Sequence, residues 1–494
     1  MVARVVGFAF TLLIPLVFSR LLSLSQFGLY KQLFQLVSTA QSILPLGFGL
    51  SAFYFLAREH EPERRAAVVL NILSFHFLVG FGAAITLLVY PEVLLRIFGN
   101  RELLGYAPLL SAVLLLWIFS YVIETIATAN QDILYSTVFI ISAQLTKGVA
   151  MLTAAFLTGS VRGALYAAIA QGLLQSIAVL LYARRRFPGF WRHFDFDMVK
   201  TQFSYVLPLG LANLVYTLET DLHNYFVSNA FGAAAFAIYS VGTTQLPLIG
   251  ILRESIASVL LTRVSYLQKQ GAARDILVLS LRVARRLAIV YWPLYALLLV
   301  IGKDLIVLMY TKRFLASWPI FLVNITLIPF MIIVQDPILR AYAQYRYYLL
   351  VLRIVLLGVL LAGLTWGIRE LGMIGAVSVV IVLSLIERFL IATKVARVLE
   401  FKRQDLRMLR DLIPIAGAAT AAALPTLALR WLLVGRPAAV TVLSCGTLFV
   451  LAYIALVYRF RILDPEERAM VRGRWMRLCA IFGRREPAEL PSRP

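Results

Sequence analysis

Glu219, Asp221 and His223 stand close together in the stretch YTLETDLHNYF (216–226), inside sequence that otherwise suits hydrocarbon. A carboxylate beside a histidine can take up and release protons between about pH 5 and 8, and intramembrane carboxylates commonly mark ion pathways. Proton or sodium exchange is therefore one chemistry this stretch could support, with Glu124 as a further carboxylate. Lys147 and Arg253 offer the opposite charge. Each is flanked on both sides by about two turns or more of apolar sequence, too far from a helix end for easy escape to water. Arg binds phosphate as a planar fork and Lys as a point charge, so these bases suit a phosphate-bearing ligand. Glu254 follows Arg253 directly. Neighbouring helical residues point about 100° apart, so each needs a different partner, water or a ligand ion.

The elements that must carry these groups are membrane helices. The chain has 494 residues, 61% hydrophobic and only 15% charged, with mean hydropathy +0.84. Soluble domains carry about 25% charged residues, so a soluble globular protein is excluded. Apolar runs long enough to cross a bilayer core of about 30 Å recur throughout, without the period-two pattern of a barrel. The reading is an all-α polytopic membrane protein of about fourteen spans. They fall at roughly 4–22, 29–56, 66–90, 106–129, 132–157, 161–183, 201–228, 232–261, 281–302, 318–340, 346–367, 372–394, 411–432 and 439–459. The N-terminal segment looks superficially like a signal peptide, but its apolar stretch is long and lacks a small-residue cleavage site, so it reads as the first span.

Net charge is +22. It lies in loops between apolar runs, which points to anionic lipid headgroups and not to nucleic acid. Placing the N-terminus in the cytoplasm puts about 32 Lys and Arg inside and about 11 outside, so both termini are expected to be cytoplasmic. Cys445 and Cys479 have neither CxxC spacing nor a paired framework, so neither a disulfide nor a metal site is expected. No organic cofactor is implied.

In the 216–226 stretch, Tyr216, Glu219 and His223 share one helical face, and Thr217, Asp221, Asn224 and Ser228 form a second stripe. A helix polar on two sides must border other helices, a wet cavity or the outer interface. Two accounts remain open: acidic partners for Lys147 or Arg20 in a static network, or a protonatable cluster. By contrast Arg353, Glu387 and Arg388 lie near cytoplasmic ends, with Asp336 and Arg340 similarly placed, and are expected to reach out to the interface.

A weak internal repeat is visible. FGLY (27–30) aligns with FAIY (236–239), and GALYAAIA (163–170) with GAVSVVIV (375–382), at nearly the same offset. Six spans recurring in step give two lobes related by an axis along the membrane normal. The expected division is 1–199 and 200–399 for the six-helix lobes, 400–460 for two added helices and 461–494 for a basic cytoplasmic tail. Pro45 and Pro247 are expected in matched spans, as packing kinks or as bendable elements of a lobe movement. The tail, with Trp475, Leu478 and Phe482 among its bases, reads as a helix on anionic lipid or a docking segment.

This arrangement, together with SRLLSLSQFGLY (19–30) at the end of the first span and AFAIYSVG (235–242) as its counterpart, resembles the Wzx-type polysaccharide-biosynthesis flippases of the multidrug/oligosaccharidyl-lipid/polysaccharide exporter superfamily. The resemblance implies a transporter, not an enzyme, carrying a polyprenyl-diphosphate-linked oligosaccharide from the inner to the outer leaflet of the plasma membrane through a cationic cavity. A polysaccharide polymerase and glycosyltransferases would be its partners. By positional correspondence with lipid II flippase relatives, it adds Arg20 and Lys31 to Lys147 and Arg253 as diphosphate contacts. Glu124, Glu219, Asp221, His223 and Glu254 would form the ion-coupling or cavity network, and Asn213, Tyr216 and Gln245 could meet sugars. The superfamily's multidrug branch is the nearest rival. A membrane polymerase or glycosyltransferase is more remote, because the first outer loop, SLSQFG, holds no carboxylate and no outer loop is long.

Overall fold

A computed structural model describes residues 2–463 apart from Gln245. The expected tail helix, Cys479 and the sugar contact at Gln245 lie outside the described residues. The first half of the chain forms α1 (Val2–Leu21), α2 (Leu24–Ile43), α3 (Ser51–Phe55), α4 (Pro62–Val89), α5 (Glu92–Phe98), α6 (Ala107–Ser120), α7 (Ile123–Ala129), α8 (Ile133–Thr158) and α9 (Val161–Arg186). The second forms α10 (Phe196–Gly242), α11 (Pro247–Lys269), α12 (Ala273–Tyr310), α13 (Trp318–Ile325), α14 (Asp336–Ala341) and α15 (Arg346–Val398), followed by α16 (Ile413–Leu432) and α17 (Ala438–Arg459). No strand occurs among the described residues.

Local sequence explains several boundaries. Ser23 and Gln26 form a reciprocal capping box at the start of α2. The Asp195 carboxylate accepts the amides of Asp197 and Met198, 3.0 Å each, and caps α10. As one rod, the 47 residues of α10 would run about 70 Å, more than twice a bilayer core. Gly232, at φ 77° and ψ −177°, breaks it in a region of backbone space open only to glycine. The helix folds back there, which brings His223 Nδ1 to 2.8 Å from the Tyr239 hydroxyl. Gly372, at φ 61° and ψ −139°, does the same within the 53 residues of α15, where Tyr348 donates to the Leu390 carbonyl.

Nine helices among the described residues are long and apolar enough to cross a membrane, or eleven when each of two bent pairs is one span. That count does not reach the expected figure of about fourteen. Two of the nine are the folded-back α10 and α15, so helix number and crossing number differ here. Pro45 lies in the turn at 44–47, where the axis bends by 44°, and Pro247 opens α11. Both prolines therefore stand at breaks between helices and not as kinks within continuous ones.

The longest joint between the two halves of the chain runs along α2 and the first arm of α10. Gln32 donates to Ser228 (2.6 Å), Thr39 to Asp221 (2.6 Å) and Asn213 to the Ser42 carbonyl (2.9 Å). Rising numbers on one helix against falling numbers on the other make the pair antiparallel. Glycine sits at both ends of this seam. A methyl added at Gly28 would strike the Ala233 carbonyl, and one at Gly210 the Leu46 carbonyl. Small residues let membrane helices approach this closely. Beyond the seam, α16 and α17 pack on α12, fixed by Arg430 to Asp304 (2.8 Å) and by Tyr453 donating to the Ile289 carbonyl (3.0 Å).

The seam sets a clear contrast between glycines. Gly210→Ala is expected to destabilise the detergent-solubilised protein by about 1–3 kcal/mol, the usual cost of overpacking. Gly82→Ala, with nothing within 4 Å of the added carbon, should be neutral or slightly stabilising because alanine favours helix. Thermal melting of the two variants beside the parent checks this, and equal loss in both would contradict the seam.

Candidate functional site: charges in the bundle interior

In the first half, two lysines stand against an aromatic ladder. Phe18 stacks on Tyr30 (4.7 Å between centroids), Tyr30 meets Phe34 (4.9 Å), and Phe34 meets Trp117 (5.8 Å). Lys147 of α8 places its Nζ 4.5 Å from the centre of the Trp117 ring, and Lys31 of α2 lies 5.6 Å from that of Phe27. Trp117 keeps its own N–H satisfied by the Ala168 carbonyl (2.9 Å). Neither lysine forms an ion pair among the described residues. A cation–π contact returns about 0.5–2 kcal/mol, below the about 2.5–3.5 kcal/mol cost of a charge at mid-membrane. At such a depth, water, an anion or loss of the lysine proton covers the remainder.

In the second half, several charges are mutually engaged. Arg353, on the first arm of α15, lies between two carboxylates: Nη1 is 2.9 Å from Glu219 Oε2 and Nη2 is 3.3 Å from Glu387 Oε1. Its guanidinium also lies 5.3 Å from the centre of the Tyr216 ring. The three charged side chains are only 17–19% exposed. The expectation that Arg353 and Glu387 reach for the interface is thereby corrected. Distance to a helix end permits escape, but two facing groups of opposite sign hold these side chains inward. Asp336 pairs with Arg340 at 2.6 Å. Arg388 places Nη1 3.5 Å from the Phe330 carbonyl. Arg253 and Glu254 on α11 are both exposed. Among the described residues Arg253 has no hydrogen bond or ion pair.

The Glu219, Asp221 and His223 stretch is divided among three neighbours. Glu219 goes to Arg353, Asp221 accepts from Thr39 across the seam, and His223 is buried against Tyr239. The stripe of Thr217, Asp221, Asn224 and Ser228 contributes Asp221 and Ser228 to the α2 contact. The acidic partner expected for Lys147 or Arg20 serves Arg353 instead. Arg20 is exposed and donates to the Leu308 carbonyl (2.7 Å) near the end of α12. Arg313 reciprocates with donations to the Ser19, Arg20 and Leu22 carbonyls, 3.2–3.3 Å, so the face expected outside is tied across the halves. Glu124 is exposed on α7, near Tyr121. His76 is buried with Nδ1 2.8 Å from the Ile72 carbonyl of its own helix, an ordinary internal contact. Among the described residues no group of three His, Cys, Asp or Glu could hold a metal ion. Sequence reasoning missed Arg353, Glu387 and Arg388; their signal was ionisable type within an apolar run, outweighed by nearness to a helix end.

Relatives share this architecture. The lipid II flippase MurJ in an inward closed conformation superposes with a TM-score of 0.69 at 15% identity, over 93% of this chain and 96% of that one. An inward-facing multidrug resistance MATE family transporter of the MOP superfamily gives 0.63 at 15% identity, over 81% and 99%. A MOP superfamily transporter from Pyrococcus furiosus gives 0.54 at 15% identity, over 81% and 95%. No curated protein sequence matches the chain. The family model described as polysaccharide biosynthesis protein matches residues 17–319, more than half of the sequence. On that match, and with the helical membrane fold just described, the chain belongs to the polysaccharide biosynthesis protein family and is built on the MOP superfamily fold.

Proposed function

We propose that the protein is a flippase that moves a polyprenyl-diphosphate-linked oligosaccharide from the inner to the outer leaflet of the plasma membrane, for assembly of a surface polysaccharide such as O-antigen, capsule or exopolysaccharide. One observation carries the reading: Lys31 lies in one of the bent helix pairs and Lys147 in one of the helices long and apolar enough to cross a membrane, and Arg253 lies on α11, all without a carboxylate partner among the described residues of a polysaccharide-biosynthesis chain. Such charges are kept in a membrane where they face water or a ligand anion. A diphosphate supplies that anion, and the sugar head could not otherwise leave water, because each unpaired hydroxyl would lose its hydration.

In this mechanism the 1–199 and 200–399 lobes rock about the hydrated space between them, with 400–460 as an appendage and both termini cytoplasmic. The polyprenyl tail stays in lipid while Lys31, Lys147 and Arg253 attract the diphosphate and Asn213 and Tyr216 face sugars. The Arg20 and Arg313 contacts act as the outer closure and must part for release. Glu124, Asp221, His223 and Glu254 are the candidate ion-responsive groups, with proton and sodium both open. The Glu219–Arg353–Glu387 cluster serves as the frame that holds α10 to both arms of α15. A polysaccharide polymerase and glycosyltransferases are the expected partners. The fold it shares with MATE transporters raises a cation exporter as the second reading, but three bases with no carboxylate partner would repel a cationic drug.

Combined Lys147→Ala and Arg253→Ala is expected to abolish surface polysaccharide in cells while the protein still inserts at normal levels. Gel analysis of surface glycan beside membrane immunoblots reads this out, and full polymer from the double variant would remove the proposed cavity chemistry. For the frame, Arg353→Met should cost about 3–5 kcal/mol of stability by leaving two facing carboxylates unpaired. Adding Glu219→Gln and Glu387→Gln should recover much of that loss in thermal melting; no recovery would show that Arg353 acts through other contacts.

A further inference from the structure

Thr311 closes α12 at φ 83° and ψ 166°, a region of backbone space that essentially only glycine occupies. Five described residues other than glycine have positive φ: Leu46, Gln131, Thr311, Glu400 and Arg461. Thr311 has the largest value and is the β-branched one, and for a branched residue such a conformation is a genuine outlier. Glycine takes the corresponding place after α5 and α8, at Gly99 and Gly159. The threonine side chain gives no local return for the strain. Its hydroxyl is buried and has no hydrogen-bond partner among the described residues, which carries a penalty of its own.

Strain of this kind persists only where the surroundings hold it. Thr311 lies between two grips on the end of α1. Before it, Arg20 Nη2 donates to the Leu308 carbonyl in the last turn of α12 (2.7 Å). After it, Arg313 donates to the Ser19, Arg20 and Leu22 carbonyls (3.2–3.3 Å), and the buried Phe314 sets its ring edge-on to Phe27 at 5.3 Å. Both grips join the second half of the chain to the first, so the strained residue is free to relax once they part. We propose that Thr311 is a spring in this closure: the closed arrangement holds it in the costly conformation, and opening lets it turn to ordinary φ and brings its hydroxyl to water. This role rests on the transport reading, in which the Arg20 and Arg313 contacts form the outer closure. Strain in this region is equivalent to about five- to 150-fold in a two-state population, which offsets part of what the two grips contribute.

The test uses the full chain in phosphatidylcholine nanodiscs, with amide hydrogen exchange read by mass spectrometry over residues 16–22 and 312–318. Thr311→Gly removes the Cβ and with it the strain, so exchange in both segments is expected to slow about fivefold or more, and the variant to melt higher than the parent. Glycine with no strain to relieve would do the opposite, loosening the chain and speeding exchange. Thr311→Val keeps the branched shape and removes the hydroxyl, and is expected to fall between the parent and the glycine variant. Slowing by valine as great as that by glycine would assign the whole effect to the hydroxyl and overturn the strained backbone. Arg313→Gln should speed exchange in both segments. If it does not, the closure reading falls and the spring with it. If it does, while Thr311→Gly leaves exchange unchanged or faster or melts lower than the parent, the spring alone is overturned and the closure stands.

Discussion

A charge in hydrocarbon must be neutralised, hydrated or removed, and this constraint orders the interior of the bundle. The protein meets it in more than one way. Lys31 and Lys147 lean on aromatic faces, which soften the penalty without cancelling it. Arg353 is enclosed by Glu219 and Glu387 and needs no ligand at all. The difference separates charges paired within the fold from charges that have no carboxylate partner among the described residues. A buried ion pair is weak evidence of stabilisation when compared with an apolar core, but it fixes which helices must meet. Here one arginine ties the first arm of α10 to both arms of α15, across the Gly372 fold-back.

Glycine supplies the complementary constraint. Gly232 and Gly372 let long apolar segments turn within a single residue, in backbone conformations closed to other side chains. Gly28 and Gly210 bring α2 and α10 close enough for polar side chains to bond between them. The first pair decides topology, and the second decides how tightly the halves meet. In both cases what matters is the absence of a Cβ, which hydropathy does not record.

Much of the fold was legible because hydrophobic length, not detail, specifies a membrane helix. The segments around 66–90, 132–157 and 161–183 match α4, α8 and α9 within a few residues, and the separation of 201–228 from 232–261 falls at Gly232. The site was legible in part. The stripes on the 216–228 helix predicted contacts on two sides, and Glu219 and Asp221 do face different neighbours. What sequence could not provide was depth and register between helices distant in the chain. Glu219 and Arg353 are separated by 134 positions, and nothing local says that they meet. The rule that residues near helix ends escape to water assumes that no partner stands closer than the interface. For Arg353 that assumption fails.

If the halves rock as proposed, the α2 and α10 seam is a joint that has to open. Interhelical hydrogen bonds in membranes average about 0.6 kcal/mol, so a joint of a few such bonds contributes on the order of 2–3 kcal/mol. A bond between an ionised group and its partner contributes about 1.5–3 kcal/mol. In the proposed transport cycle, one or two such bonds made by a ligand in only one arrangement of the halves would offset the neutral hydrogen bonds of the seam, with its packing and the Arg20 and Arg313 contacts still to be overcome. A tighter joint, built of several enclosed ion pairs like that of Arg353, would hold one arrangement against any ligand of modest affinity. The Arg353 cluster lies within the second half, whereas the seam is lined by amides and hydroxyls with one carboxylate at Asp221, so none of the ion pairs named above crosses the joint that the proposed movement has to open.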